Sequence, residues 1–498
     1  MQKFAKNFSV RVNLKQIRTQ FSPLVLKFAA HLKMHQIFSF LNANSSFYAT
    51  ISLCLKKIKE RKLMNFVQKL ALAYSHRTMT RSLSANFKVQ LQPQKKRYNP
   101  AKSYMLYAHI PFCHTFCPYC SFHKYAYDED LARVYFESLR AEIRLIAELG
   151  FDFSTMVVGG GTTLINESEL LRTLELCKKL FNIKEISCET DPNHIEASKL
   201  GLFKGLIDRL SCGVQSFDDG ILQKIARYQK FGSSKELQEK LEKAIGILPL
   251  FSIDLIFNFP SQSKEQLLND LNIAKKLAPQ QITTYPLMKS NLTKESIARA
   301  LGVNFKDNEF EFYRVICEFF KDYTQNNAWS FASAKSALND EYVSSHHEYV
   351  GVGSGAFSFL DGELLINAFN LNDYTKFIAQ KANANIARAS FKRKEILRYI
   401  FLTEMFSGEL NVDKFNTHLN CSLEKELFVE LLGLKMAGAV VRENGVLKCT
   451  DFGRYLFVVL MKDFYTGMDI VRAVFRDDAR LKNRDFIDIM SEKISNES

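Results

Sequence analysis

From residue 104 onward the chain is built of short apolar runs that end in glycine or polar residues. They are "YMLYAHI" (104–110), "TMVVGGG" (155–161), "EISCET" (185–190), "IDRLSCGV" (207–214), "SIDLIF" (252–257) and "QITTYPL" (281–287). Between them lie segments whose apolar positions recur at helical spacing, such as 129–149, 167–181 and 264–277. Strands alternating with helices at this spacing predict βαβ units and a parallel sheet. Six units predict an α/β fold, a partial (β/α)6 barrel of the TIM type rather than a closed eight-fold one. In such barrels chemistry gathers at the C-terminal ends of the strands. The residues with chemical potential fall there: cysteines after the first run, glycines after the second and Glu189 in the third, with Gln215 after the fourth and Asp254 inside the fifth.

Past residue 388 the pattern changes. "RKEILRYIFLTEMF" and "LEKELFVELLGLKMAGA" have helical spacing, and "AVVRENGVLKCTDFGRYL" alternates like short strands around a turn at Asn444-Gly445. Helices followed by a two-stranded wing predict a winged-helix-like unit. Its helices are not notably basic, so nucleic-acid binding is not expected of it. The organisation expected is a basic extension over 1–98, a barrel over 99–330, a glycine-containing linker or substrate segment over 331–387, and a helical cap over 388–498. Adjacent His346 and His347 in the linker are candidates to meet an anionic ligand group, or are simply solvated.

Charge changes the picture at one end only. Residues 1 to 100 hold 19 Lys and Arg against one acid, Glu60, a net +18, so the other 398 residues sum to −4 within the total of +14. The body is mildly acidic and the basicity is a leader. Three readings of the leader stand open: a transit peptide, which is basic and acid-poor; a nucleic-acid or membrane-surface contact; or an upstream extension, with translation beginning at or near Met64. No apolar run reaches the length of a membrane span, and scattered cysteines fit a reducing cytoplasm.

Three of the ten cysteines cluster, in "YAHIPFCHTFCPYCSFHKY" at 107–125. Cys113, Cys117 and Cys120 have C-x3-C-x2-C spacing just after the first apolar run. Iron–sulfur cubanes and tetrahedral zinc both normally take four protein ligands. Three thiolates can hold three irons of a [4Fe–4S] cubane and leave the fourth open, the mark of a catalytic rather than a structural centre. The alternative is zinc, with His114 or His123 as the fourth ligand.

At this point the sequence resembles the radical S-adenosylmethionine (AdoMet) superfamily, whose hallmark is this spacing after the first barrel strand. "YAHIPFC", "CPYCSF", "GGGT", "ETDP", "RLSCGVQSF", "DLIFNFP" and "GVGSGAFSF" are similar to its oxygen-independent coproporphyrinogen III oxidase-like branch, over about residues 100 to 480. That branch includes coproporphyrinogen dehydrogenases, haem chaperones and haem-opening methyltransferases. The resemblance implies a [4Fe–4S] cluster whose open iron is chelated by AdoMet, reductive cleavage to a 5′-deoxyadenosyl radical, and a porphyrin or haem ligand. It also implies an electron donor such as flavodoxin or ferredoxin. Carried over by position, it makes Tyr107, Tyr119, Phe122, Gly160, Gly161, Thr162, Glu189, Gln215, Arg227 and Asp254 the AdoMet-side residues, beside the three cysteines. The chemistry suits them without the analogy, since carboxylates accept from hydroxyls and ammonium, an arginine fork suits a carboxylate, and glycine permits close backbone approach. An acid inside an apolar strand, as Asp254 is, is costly unless paired.

The chain departs from the branch in three places. No proline follows the threonine of "GGGTTLI", "NFPSQS" stands where glycines are usual, and Phe122 takes the place of the fourth cysteine of the dehydrogenases. The phenylalanine form is that of the chaperones and methyltransferases, so coproporphyrinogen decarboxylation is not expected.

Overall fold

The computed structural model describes residues 88–91, 96–303, 307–333, 346–381, 383–481 and 484–488. The leader readings, including a start at Met64, lie outside the described residues.

The expected six strands form, with small shifts at their ends: Tyr104–Ile110, Phe153–Gly160, Glu185–Thr190, Arg209–Gln215, Leu250–Phe257 and Gln281–Pro286, all parallel and in sequence order. They are nearly continuously buried, as strands with both faces covered must be. The intervening helices begin where side chains can satisfy the first free amides. Asp128, Asn166 and Ser263 each accept from a first-turn amide of Glu129–Glu148, Glu167–Leu180 and Lys264–Lys276.

The sheet does not stop at six strands. Fourteen strands of the described residues make one sheet. Beside the last barrel strand lie Ser330–Ala332 and Thr324–Asn327, both antiparallel. On the other edge Tyr349–Val352 runs parallel to the first strand, with Gly351 opposite Tyr107. Phe357–Leu360, Glu363–Asn367, Asn385–Ser390, Lys88–Gln90 and Phe486–Asp488 continue the sheet in antiparallel order. Two expectations are corrected here. The segment expected to be a linker, 331–387, contributes strands Tyr349–Val352, Phe357–Leu360 and Glu363–Asn367 to the sheet, too short and glycine-punctuated to announce themselves. The end of the expected extension is also built into the fold. Val89 is fully buried in a strand, and the Lys96 ammonium donates to the Gly351 carbonyl at 2.7 Å beside buried Glu142.

The C-terminal region holds helix Arg393–Phe406, further short helices and a three-stranded sheet of Glu409–Asn411, Val440–Glu443 and Val446–Cys449. The turn at Asn444-Gly445 has φ of 48° and 79°, the pair of positive values a two-residue hairpin loop needs. The strand expected through "DFGRYL" is instead the start of a helix, Asp451–Phe475. Thr450 caps it by accepting from the Gly453 amide at 3.1 Å, and its apolar side packs along the core. Lys462 on this helix pairs with the buried Glu309 carboxylate at 2.6 Å, and the Tyr455 hydroxyl donates to the same group at 3.1 Å. Together they join it to helix Glu309–Phe319. No helix of the described residues is long and apolar enough to cross a membrane.

Candidate functional site

The chain leaves the first barrel strand at Ile110 and loops out through the cysteines. Residues Phe112–Cys113 pair with Tyr125–Ala126, which closes the loop at its base. Within it the Cys120 amide donates to the Cys117 carbonyl at 3.2 Å, and Lys124 donates to the Cys120 carbonyl at 2.8 Å. All three thiols are half-buried. The glycine turn after the second strand is tied to this loop: the Gly161 amide donates to Ile110 at 2.7 Å and the Thr162 amide to Phe112 at 2.8 Å. A β-carbon on Gly161 would run into the Phe112 carbonyl oxygen. Cysteine loop and glycine turn are therefore one unit.

Around this unit the next three strands present buried polar groups. Glu189 accepts from the Gly160 amide at 3.4 Å. Burial, reinforced by the charge of Asp254, pushes the Glu189 carboxyl up to about 7. Asp254 accepts from the Ser211 hydroxyl at 2.7 Å, so its position within an apolar strand is supported by a polar partner. Gln215 ends the fourth strand at φ 79°, an unusual angle for a side-chain-bearing residue. Its buried Oε1 has no hydrogen-bond partner among the described residues.

Arg227 is not the exposed helical arginine its sequence context also allowed. Only 5% exposed, it donates through Nη1 to the Tyr119 hydroxyl at 3.1 Å and to the Cys117 sulfur at 3.5 Å, and through Nη2 to the Gly213 carbonyl. Its Nε has no partner among the described residues. Burial raises the Cys117 thiol, but the Arg227 and Lys230 charges and the hydrogen bonds from Tyr119 and Arg227 together outweigh it, and the net shift is downward. Tyr107 meets His109 Nδ1 at 3.0 Å, and His109 Nε2 donates to the His123 carbonyl at 3.0 Å. Phe122 is 39% exposed, under the Arg472 guanidinium.

Sequence reasoning missed a buried ion cluster. The Thr162 hydroxyl donates to Asp191 at 3.0 Å and lies 3.8 Å from the Cys113 sulfur. Asp191 also binds His194 at 2.8 Å and Lys230 at 3.1 Å. Burial alone would raise the Asp191 carboxyl, but these partners hold it well below the usual range. Asp191 lies in "ETDP", whose glutamate alone was singled out. Arg209, 2% exposed inside the barrel, was missed too; it donates to Gln281 at 2.8 Å and to Ser187 at 3.2 Å. An arginine within an apolar strand was the available signal.

Neither candidate histidine supports the zinc alternative. His123 is 3% exposed and donates toward the Phe369 carbonyl at 3.1 Å, while the exposed ring of His114 stacks on His194. Among the described residues no group of three or more His, Cys, Asp and Glu side chains could hold a single metal ion. His347 is engaged by Glu404 at 3.1 Å.

Residues 107–274 match the Radical SAM superfamily. The heme chaperone HemW of Bacillus subtilis is 30% identical over 294 residues, 55% of this chain and 76% of that protein. This chain belongs to the radical SAM coproporphyrinogen III oxidase-like family. The oxygen-independent coproporphyrinogen III oxidase of Salmonella typhimurium is 32% identical over 195 residues, 37% of this chain and 42% of that protein. The structure of coproporphyrinogen III oxidase (HemN) from Escherichia coli superposes with a TM-score of 0.61 at 22% identity, covering 74% of this chain and 91% of that one, which bears on the fold. The cofactors of this radical SAM protein are those of its superfamily, a [4Fe–4S] cluster and AdoMet.

The residues present fit both groups. Three thiols on one closed loop offer soft ligands, with none of the described histidines drawn in as a fourth. The Gly161 approach leaves backbone where a side chain would stand. Gln215 Oε1 and Arg227 Nε are a buried acceptor and a buried donor still lacking partners among the described residues. Such groups are costly unless a ligand or water completes them.

Proposed function

We propose that this protein binds a [4Fe–4S] cluster through Cys113, Cys117 and Cys120, splits AdoMet reductively, and acts on a haem-type tetrapyrrole. One observation carries the reading: the cysteines and the glycine turn follow the first two strands, Glu189 and Gln215 stand at the ends of the next two and Asp254 lies within the fifth, with buried hydrogen-bonding groups at Gln215 and Arg227 still unpaired among the described residues. When bound, the cluster supplies the electron that breaks the sulfonium C–S bond of AdoMet. The protein's part is placement. Gly160, Gly161 and Thr162 line the AdoMet amino end with backbone. Glu189 and Asp254 accept from ribose hydroxyls and ammonium, Gln215 accepts a further donor, and Arg227 Nε reaches toward a carboxylate. Tyr107, Tyr119 and Phe122 border the same space.

In this proposal residues 99–330 form the barrel, 388–498 cover it, and a small cytoplasmic flavodoxin or ferredoxin supplies the electron. The haem part rests on relatives that are themselves named heme chaperone and coproporphyrinogen III oxidase. A second reading has support of its own: a carrier that delivers haem without turnover. It is favoured by Phe122 in place of a fourth cysteine and by the HemW relatives.

The experiment is anaerobic reconstitution followed by AdoMet and dithionite, with haem or coproporphyrinogen offered separately and products followed by mass spectrometry. 5′-Deoxyadenosine, with haem bound or consumed and coproporphyrinogen untouched, is expected. Haem binding without any 5′-deoxyadenosine would establish the carrier instead, and stoichiometric protoporphyrinogen would restore the dehydrogenase.

A further inference from the structure

The last turns of helix Asp451–Phe475, and the residue that follows it, reach back over the cysteine loop. The Arg472 guanidinium lies 5.3 Å from the centre of the Phe122 ring and 5.7 Å from that of Phe357. One turn further on, Arg476 Nη2 donates to the Ser121 carbonyl at 2.7 Å. Two arginines four residues apart thus sit on the two residues that follow Cys120. Arg472 is countered by Asp469, which Nη1 meets at 2.6 Å; its other donors make no hydrogen bond among the described residues. Phe122 is 39% exposed beneath this pair.

The charge here is felt inside the barrel mouth. Burial first, and then Arg472 and Arg476, push His109 down to about 4, so this buried imidazole stays neutral. What this surface offers is a flat apolar face edged by fixed positive charge, and guanidinium is the side chain suited to planar, bidentate capture of carboxylates.

We infer that Arg472 and Arg476 bind the carboxylates of the tetrapyrrole, with its ring edge against Phe122. This rests on the tetrapyrrole reading above and adds to it a subsite on the C-terminal helix. It assigns the helix a role in ligand capture besides its packing, and it gives Phe122 a function: the position carries a flat face where a thiol would offer none.

The ligand itself supplies the cleanest test. The full chain is titrated with haem and with its dimethyl ester under the same dilute-detergent conditions, following the Soret band. A charge-assisted hydrogen bond lost to esterification is expected to weaken binding about ten-fold or more. In the Arg472→Gln/Arg476→Gln variant the diacid should fall to the affinity of the ester, closing the gap, while Lys448→Gln on the remote hairpin leaves both affinities unchanged. Thermal denaturation and iron content establish that the variants fold; Arg476→Gln alone, at an exposed residue, should already narrow the gap. Equal affinity of acid and ester for the unmodified protein overturns the inference and leaves the tetrapyrrole reading standing. A gap that persists in the double variant overturns it too. Failure of both ligands to bind overturns the tetrapyrrole reading, and this inference with it.

Discussion

The Thr162 amide donates to the Phe112 carbonyl at 2.8 Å, and the same oxygen blocks the place where a β-carbon on Gly161 would go. The glycine turn and the cysteine loop therefore hold each other in place through backbone alone, before any cofactor binds. Gly161→Ala should force the two apart. A loss of about 1–3 kcal/mol in unfolding free energy is expected for overpacking of this kind, together with poor cluster retention. Chemical denaturation of the apo-protein checks the first, iron and sulfide analysis the second. An alanine variant as stable and as iron-rich as the parent would show that the turn is not so constrained.

The three cysteines should separate cleanly from the rest. Changing any of Cys113, Cys117 or Cys120 to Ala is expected to abolish the reconstituted cluster. Cys188 and Cys212 are fully buried in strands, with thiols pushed up by burial. Their alanine variants should keep their iron and lose about 1 kcal/mol of stability from the small cavity. Iron-to-protein ratio and the visible absorption of the cluster decide it.

The N-terminal boundary can be found by truncation. A chain beginning at Met64 should bind its cofactors like the full chain. One beginning at residue 99 loses Val89 from its strand and the Lys96 ammonium from beside Glu142. Glu142 would keep its bonds from Gly353, Asn367 and Tyr374, but removing one partner of a buried ion pair costs about 3–5 kcal/mol. Soluble yield and thermal midpoint should fall accordingly.

Much of this site was legible in advance because its residues are adjacent in sequence to the strands that carry them. Glu189 and Gln215 needed only strand ends to be found, and Asp254 stood out as an acid within an apolar strand. The parts that were not legible depend on distant partners. Lys230 reaches Asp191 across 39 residues and Arg476 reaches Ser121 across 355, and no local pattern encodes such a meeting. Lys96 was hidden in a segment whose basic composition read as part of a leader. "DFGRYL" alternates well enough for a strand, and only Thr450 at its cap marks the helix. The short strands between 349 and 390 owe their existence to the sheet edge they complete.

Acidity should act through Glu189. Its carboxyl, pushed up to about 7 by burial and then by Asp254, holds its proton more tightly folded than unfolded, where the ordinary value is 4.5. Its contribution therefore favours the fold below pH 4.5 and is lost as the pH rises through about 7. Asp270, 1% exposed beneath Ser216 and Phe217 and pushed up to about 7 by burial, works in the same sense from 3.8. Glu189→Gln should flatten the fall in apo-protein stability between pH 4.5 and 8, gaining at most about 3 kcal/mol at the upper end. Denaturation midpoints across that range measure it; an unchanged slope would mean that Glu189 titrates normally.

The central claim is that these strand ends hold a cluster and AdoMet for reductive cleavage. The most direct measurement is the anaerobic yield of 5′-deoxyadenosine from reconstituted protein, AdoMet and dithionite, compared with the Cys117→Ala variant. The account predicts slow but clear formation by the parent and none by the variant. No 5′-deoxyadenosine from a parent protein shown to carry its full complement of iron and sulfide would contradict it.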